Sequence, residues 1–220
     1  PSGLHPSQAI AAAVVGVHVC TEKPMATRWE EGVAMVRACE AAGVRLFVVK
    51  QNRFNSTLQL VKKQGERGRF GRLALITVNV FWQRPQSYYD QDKWRGTKKL
   101  DGNVIANQAS HHIDLLLWLN GEVKSVFAYS KKSIAKIEME DTVIAILKFK
   151  NGAIGTLEVT TGARPKDLEG SISILGEKGT IEIGGFAANK IKTWLFINNK
   201  DNIRYSKYFE NPKNVYGFGH

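Results

Sequence analysis

The sequence predicts an α/β protein in two parts: a small parallel unit, then an α/β domain built on a large, open, mostly antiparallel sheet. Three observations carry this prediction. Helix-like and strand-like segments alternate at the start of the chain, the pattern of parallel α/β architecture. Strand-like segments separated by turn residues fill the second half. Between them lies one helix-like stretch, Asn107 to Gly121, polar at its start and apolar at its end.

In order, Pro6 sits at the first position of a short helix, and Gly16 stops it after an Ala-rich run. Val17 to Cys20 reads as a strand. Thr27 and Glu30 have capping-box spacing, opening a helix from Arg28 to Ala42 that ends at Gly43. Arg45 to Val49 is a second buried strand. Asn55 is placed to cap a helix reaching about Gln64, and a long strand runs from Leu73 to Trp82. Gln83 to Gly102 is a polar and aromatic loop, and a loop of that length inside a compact domain is more often functional than idle.

The stretch from Asn107 reads as a helix stopped by Asn120-Gly121. Strands follow: Val123 to Ser130, then Thr142 to Phe149 and Ala153 to Thr161 around Asn151-Gly152, a strong hairpin signal. Ser171 to Leu175 pairs with Thr180 to Ile183, and Lys192 to Ile197 with Ile203 to Phe209. Such a sheet has one face under helices and the other available to a partner. The division expected is residues 1–54 and residues 55–220. The chain reads as starting after a missing strand and as lacking a stop signal at its end, so truncation is expected at both ends.

No apolar run approaches the roughly 20 residues of a membrane span, and the start has no signal-peptide pattern. Cys20 and Cys39 lie in apolar segments as buried thiols do, with a reducing cytoplasm as the expected setting. The net charge of +11 favours an anionic ligand. Basic residues come as scattered pairs such as Lys62-Lys63 and Lys98-Lys99, with no nucleic-acid motif, so neither nucleic acid nor membrane is an expected partner.

Glu22-Lys23-Pro24 follows a parallel strand, where α/β sheets bind ligands. A lysine there can hydrogen-bond a substrate hydroxyl; the alternative is a solvated lysine at a strand end. Pro24 restricts Lys23 to extended backbone and allows a cis bond. His111 is a candidate acid or base, with Asn107 one helical turn before it to orient it or to bind a hydroxyl. The alternative is a polar helix start whose histidines only bond backbone or surface groups. His112 projects about 100 degrees away on a helix, and Asp114 is placed to pair with His111 or with a neighbouring strand. Arg84, Tyr88, Tyr89, Trp94 and Arg95 have the makeup of a site for an anionic, ring-bearing ligand, or of a loop anchored by aromatic packing. The histidines match no zinc spacing, so no metal is expected. No Gly-x-Ser-x-Gly elbow and no Gly-x-Gly-x-x-Gly phosphate loop occur.

Pro1 to Pro6, Glu22-Lys23-Pro24-Met25-Ala26, and Asn107-Gln108-Ala109-Ser110-His111 with Asp114, taken together and in order, resemble the Gfo/Idh/MocA family of nicotinamide-dependent sugar oxidoreductases. The resemblance implies a Rossmann domain followed by an α/β domain through whose open sheet subunits associate as dimers or tetramers. It implies that Lys23 is the catalytic lysine and His111 the acid/base. It also implies that Leu4, His5, Glu22, Lys23, Pro24 and Asn52 line the nicotinamide side of the pocket. Many members have Asp where this chain has Asn107; an amide cannot accept a proton, so His111 must act with Lys23 alone.

Leu100-Asp101-Gly102, Asn107 to His111, and Pro165 to Ile172 are similar to one branch, dehydrogenases that oxidise the 3-hydroxyl of UDP-N-acetylglucosaminuronic acid with NAD in bacterial surface-polysaccharide synthesis. Asn103 stands where a glycine is expected after Gly102. For the substrate, this implies Arg84, Tyr89, Trp94, Arg95, Asn107 and His111 as contacts. Inositol or another sugar as substrate, NADP as cofactor, and a non-catalytic sugar-nucleotide-binding fragment remain as alternatives.

Overall fold

A computed structural model of the chain describes residues 1–186 and 188–198. A 3₁₀ turn (Ser2–Leu4) leads into α1 (His5–Val14), β1 (Val19–Thr21), α2 (Trp29–Ala41) and β2 (Leu46–Val48). The two strands pair in parallel, Val19 opposite Leu46. Ala9, Ala13, Val19, Met35 and Cys39 pack between helices and strands as a first apolar core.

Two local expectations fail here. Cys39 is buried but Cys20 is exposed, because β1 alternates and Cys20 takes its outward position. The capping box does not form: Arg28 is the N-cap residue of α2, with no side-chain cap. With Arg28 as N-cap, Glu30 falls at the second helical position and the capping-box spacing is lost, and Thr27 Oγ1 is buried with no hydrogen-bond partner among the described residues. Glu30 and Glu31 in the first turn still favour the positive end of the helix.

A second 3₁₀ turn (Gln51–Phe54) leads to α3 (Ser56–Glu66) and β3 (Leu73–Phe81). Asn55 is the N-cap residue of α3 but makes no side-chain capping bond to it. Within the long loop lies a short helix, α4 (Gln86–Asp90), and a π-turn (Val104–Gln108) then leads into α5 (Ser110–Asn120). Six strands follow: β4 (Val123–Lys131), β5 (Thr142–Phe149), β6 (Ile154–Thr160), β7 (Glu169–Gly176), β8 (Gly179–Gly184) and β9 (Lys190–Phe196).

The seven strands lie in the order β4-β5-β6-β3-β7-β8-β9. β3 and β6 run parallel, and every other adjacent pair is antiparallel. β3 is therefore central although it comes first in sequence, and the helical segment after it is free to cover one face. On that face Val143, Ala145, Leu147 and Phe149 of β5 are buried in the second core, which also holds Leu58 and Val61 of α3 and Leu115 of α5. On the other face Ile144 and Ile146 of β5 are more than half exposed, beside Phe127 and Tyr129 of the edge strand β4. The strand expected at Ile203 to Phe209 lies outside the described residues.

The helix expected from Asn107 is α-helical only from Ser110. The preceding residues are drawn out of α geometry by side chains. Asn103 Oδ1 accepts from Ala106 N at 2.8 Å, so Asn103 caps the π-turn in place of the glycine expected there. The Asn107 carbonyl is taken by Lys23 Nζ at 3.1 Å and Ser110 Oγ at 3.2 Å. The far end stops as expected: Gly121 adopts φ +91 and ψ −160, an extended positive-φ conformation essentially confined to glycine, and its N–H closes on Leu117 O at 2.8 Å. Among the described residues no helix is long and apolar enough to cross a membrane.

Candidate active site

The site forms where the ends of β1 and β2 meet the start of α5. Lys23 leaves β1 with a cis bond to Pro24 and bonds the backbone and side-chain oxygens of Asn107, both at 3.1 Å. Burial holds the Lys23 ammonium below the usual lysine range. Glu22 opposes that shift, Lys50 and Arg84 add to it, and Asp101 opposes it. Asn107, expected to orient His111 or to bind a hydroxyl, turns its side-chain oxygen to Lys23. His111 lies in the first turn of α5, 8% exposed, one turn beyond the residue that holds Lys23.

The remaining predicted cofactor residues surround the same strand ends. His5 Nδ1 lies 2.8 Å from the Pro24 carbonyl; a carbonyl only accepts, so Nδ1 is the donor. Glu22 turns back to accept from Lys23 N at 3.0 Å. Leu4 is partly exposed and Asn52 buried, the latter in the 3₁₀ turn after β2. A cleft of about 350 Å³ runs along β1, lined by His5, Gln8, His18, Cys20, Thr21 and Glu22. The start of the chain is fastened to the long loop by Gly3, whose N–H bonds Leu100 O at 2.8 Å. A Cβ at this position would stand 2.1 Å from Lys99 O.

The aromatic and basic loop is tied to the π-turn by Gln108. Its side-chain oxygen accepts from Arg84 Nε at 3.0 Å and its amide donates to Tyr88 OH at 3.3 Å. The Arg84 and Arg95 guanidiniums lie 5.2 Å and 4.4 Å from the centre of the Tyr88 ring, and Arg95 also lies over Trp94. Tyr89 is the exception among the expected contacts. It is turned inward, 7% exposed, with its hydroxyl 3.2 Å from Thr161 Oγ1, so it anchors the loop and Tyr88 takes the place between the guanidiniums. Asp114 does not pair with His111: Arg53 grips it with two bonds of 2.7 and 2.6 Å.

Four residues were not assigned from the sequence. Lys50 leaves β2 as Lys23 leaves β1, and reaches Ser110 O at 3.4 Å. Arg53 and Gln108 hold the two flanks, and Asp101 holds Asn107. The strand-end position of Lys50, parallel to that of Lys23, is the one signal that could have been read. His112 is fully buried, edge-on to Trp82 with ring centres 5.5 Å apart. Neither of its ring nitrogens has a hydrogen-bond partner among the described residues, and burial pushes it down to about 4.

Comparison with known proteins places this arrangement. Residues 1–50 match the model described as an oxidoreductase family with an NAD-binding Rossmann fold, and residues 58–182 match the GFO/IDH/MocA C-terminal domain. The WlbA dehydrogenase of Bordetella pertussis, solved in complex with NADH and UDP-GlcNAcA, is similar at 58% identity and a TM-score of 0.89, over 93% of this chain and 62% of that one. Its counterpart from Chromobacterium violaceum, with the same two ligands, has 51% identity and a TM-score of 0.91, over 95% and 61%. The levoglucosan dehydrogenase of Pseudarthrobacter phenanthrenivorans is 25% identical over 100% of this chain and 62% of its own length. The chain thus spans about three fifths of the length of these relatives, and it belongs to the Gfo/Idh/MocA oxidoreductase family.

Proposed function

We propose that the complete protein is a dehydrogenase that oxidises the 3-hydroxyl of UDP-N-acetylglucosaminuronic acid with NAD as hydride acceptor. The observation that carries this reading is the bond from Lys23 to Asn107 across 84 residues of sequence. It brings a half-buried ammonium to the start of the helix that bears His111. In the reaction His111 takes the hydroxyl proton, Lys23 stabilises the oxygen as it gains negative charge, and Asn107 holds Lys23. The choice of a nucleotide-sugar uronate is supported by the two similar WlbA dehydrogenases, which bind UDP-GlcNAcA. It is supported too by the cationic loop around Tyr88.

The nicotinamide would be held at the carboxyl ends of β1 and β2 by Leu4, His5, Glu22, Lys23, Pro24 and Asn52. The residues fit at that end, where β1 flanks an open cleft. When bound, this group supplies the acceptor for the hydride. On this reading residues 1–54 carry part of the cofactor site, and residues 55–220 carry the substrate site and the subunit contacts. The exposed Phe127, Tyr129, Ile144 and Ile146 support association through the open sheet. Both cysteines are free, which suits a reducing cytoplasm.

The test is turnover of UDP-N-acetylglucosaminuronic acid with NAD, set against polyols, since a myo-inositol 2-dehydrogenase of Thermotoga maritima is 26% identical over 94% of the chain. His111→Asn and Lys23→Ala are expected to lower kcat by about 100-fold or more while NADH affinity is kept. Near-normal kcat in both variants refutes the assignment, and turnover of polyols alone refutes the substrate.

A further inference from the structure

We propose that Asp101 and Asn107 are a matched carboxylate–amide pair, in which Asp101 is a positioning residue that locks the Asn107 side chain with its oxygen toward Lys23. An amide has one accepting and one donating end. The accepting end meets the Lys23 ammonium at 3.1 Å, and a protonated lysine can only donate. The donating end meets Asp101 Oδ1 and lies 3.5 Å from the Asp101 carbonyl. Asp101 is 4% exposed, and its second oxygen is already used, accepting from Gly96 N at 2.6 Å.

Turning the amide over would set its NH₂ group against the ammonium and its oxygen against the carboxylate. Both contacts would repel, and because Asp101 and Asn107 are buried, little water is at hand to relieve them. Asp101 therefore excludes the flipped state, which Lys23 alone would resist from one side only. The pair also explains why an amide stands at position 107. A carboxylate there would confront the Asp101 carboxylate with no donor between them.

The pairing has a chemical symmetry that makes it testable. If the two residues exchange identities, the amide now at position 101 can accept from Gly96 N and donate to the carboxylate now at position 107. The second oxygen of that carboxylate then accepts from Lys23. Every donor again meets an acceptor, but the negative charge has moved one side chain closer to the ammonium. Asp101 already acts against the burial that lowers the Lys23 titration. Its removal is therefore expected to lower that titration further, and the exchange to raise it above wild type.

The consequence for turnover rests on the reading of Lys23 as catalytic; the pairing itself does not. The experiment compares Asp101→Asn, Asn107→Asp and the double exchange in the 220-residue chain, by urea unfolding and by ¹⁵Nζ lysine NMR titration of Lys23. Each single variant is expected to lose stability. The double exchange should recover most of it, a coupling of about tenfold in the folding equilibrium constant. The Lys23 midpoint should rank Asp101→Asn below wild type and wild type below the exchange. Additive losses, or a midpoint indifferent to both changes, overturn the proposal.

If Asp101→Asn does not fold, the exchange decides alone: recovery of the fold upholds the pair, and failure to recover overturns it. A role for Asp101 confined to the Gly96 turn predicts no rescue, because Asn107→Asp does not touch that turn. In the complete protein Asp101→Asn should lower kcat with KM unchanged. If the NMR midpoints move as expected while kcat stays at the wild-type value, the pair stands and the catalytic assignment of Lys23 falls.

Discussion

His112→Phe should flatten the acid limb of stability. The ring is fully buried against Trp82, neither nitrogen has a partner among the described residues, and its pKa is lowered from 6.5 to about 4. The folded protein thus keeps His112 neutral at a pH where the unfolded chain protonates it. Because the unfolded state binds the extra proton, stability falls as pH falls through this window. Above pH 6.5 the residue contributes no pH dependence. By pH 5 it costs about 2 kcal/mol, and below pH 4 the full cost is about 3 kcal/mol. Phenylalanine is close in shape, does not titrate, and removes two buried nitrogens that bond to no described residue.

The assay is urea unfolding of wild type and His112→Phe between pH 8 and pH 4.5. The two curves should run parallel above pH 7 and separate below pH 6, the variant becoming the more stable by about 2 kcal/mol at pH 5. Parallel curves over the whole range would refute the reasoning, since they would mean that the ring either protonates freely in the folded state or titrates alike in both states.

Two further substitutions probe how the site is fastened. Arg53→Lys replaces a two-bond grip on Asp114 by a single contact; because Arg53 is 40% exposed, the expected loss is only about 1 kcal/mol in chemical denaturation. Gly3→Ala forces a methyl group to 2.1 Å from the Lys99 carbonyl. It should cost about 1–3 kcal/mol and speed proteolysis of the 97–102 loop, and a neutral effect would mean that the loop yields at no cost.

The legible features were those fixed by neighbours in sequence. Gly121 ends α5 because the chain leaves the helix there through a positive-φ conformation that glycine adopts freely. Asn151-Gly152 joins β5 to β6 because their alternating residues must bury one face. Lys23 and His111 stand out by their places in motifs that resemble the family's. What stayed hidden depends on distant partners. Asp101, Arg53 and Gln108 look like ordinary polar residues until the chain closes on Asn107, Asp114 and Arg84. Tyr88 and Tyr89 are adjacent and chemically equal, and only the packing of Tyr89 on Thr161 decides which one faces the arginines. The π-turn is hidden for the same reason, since Lys23 competes for the carbonyl of Asn107.

The charge argument also changes scale. A net +11 spread over the surface is weak evidence for an anionic ligand, because exposed charges are screened within about 10 Å at ordinary salt. The local arrangement at the site matters more. The two apolar cores share no buried residue, and side chains that bridge them at the site are cations: Lys23 to Asn107, Lys50 to Ser110 and Arg53 to Asp114. Arg53 finds a carboxylate of its own, but Lys23 and Lys50 reach only neutral oxygens among these bonds. Burial lowers both lysines, and Lys50 and Arg84 each depress Lys23 further. Carboxylates offset these cations: Glu22 and Asp101 act against the lowering of Lys23, Asp114 against that of Lys50, and Asp167 pairs with Arg84 at 3.6 Å. On the proposed reading, Lys23 and Lys50, whose bonds reach neutral oxygens, are the cations left to meet the charge of a uronate, whereas a neutral polyol would use them only as hydrogen-bond donors.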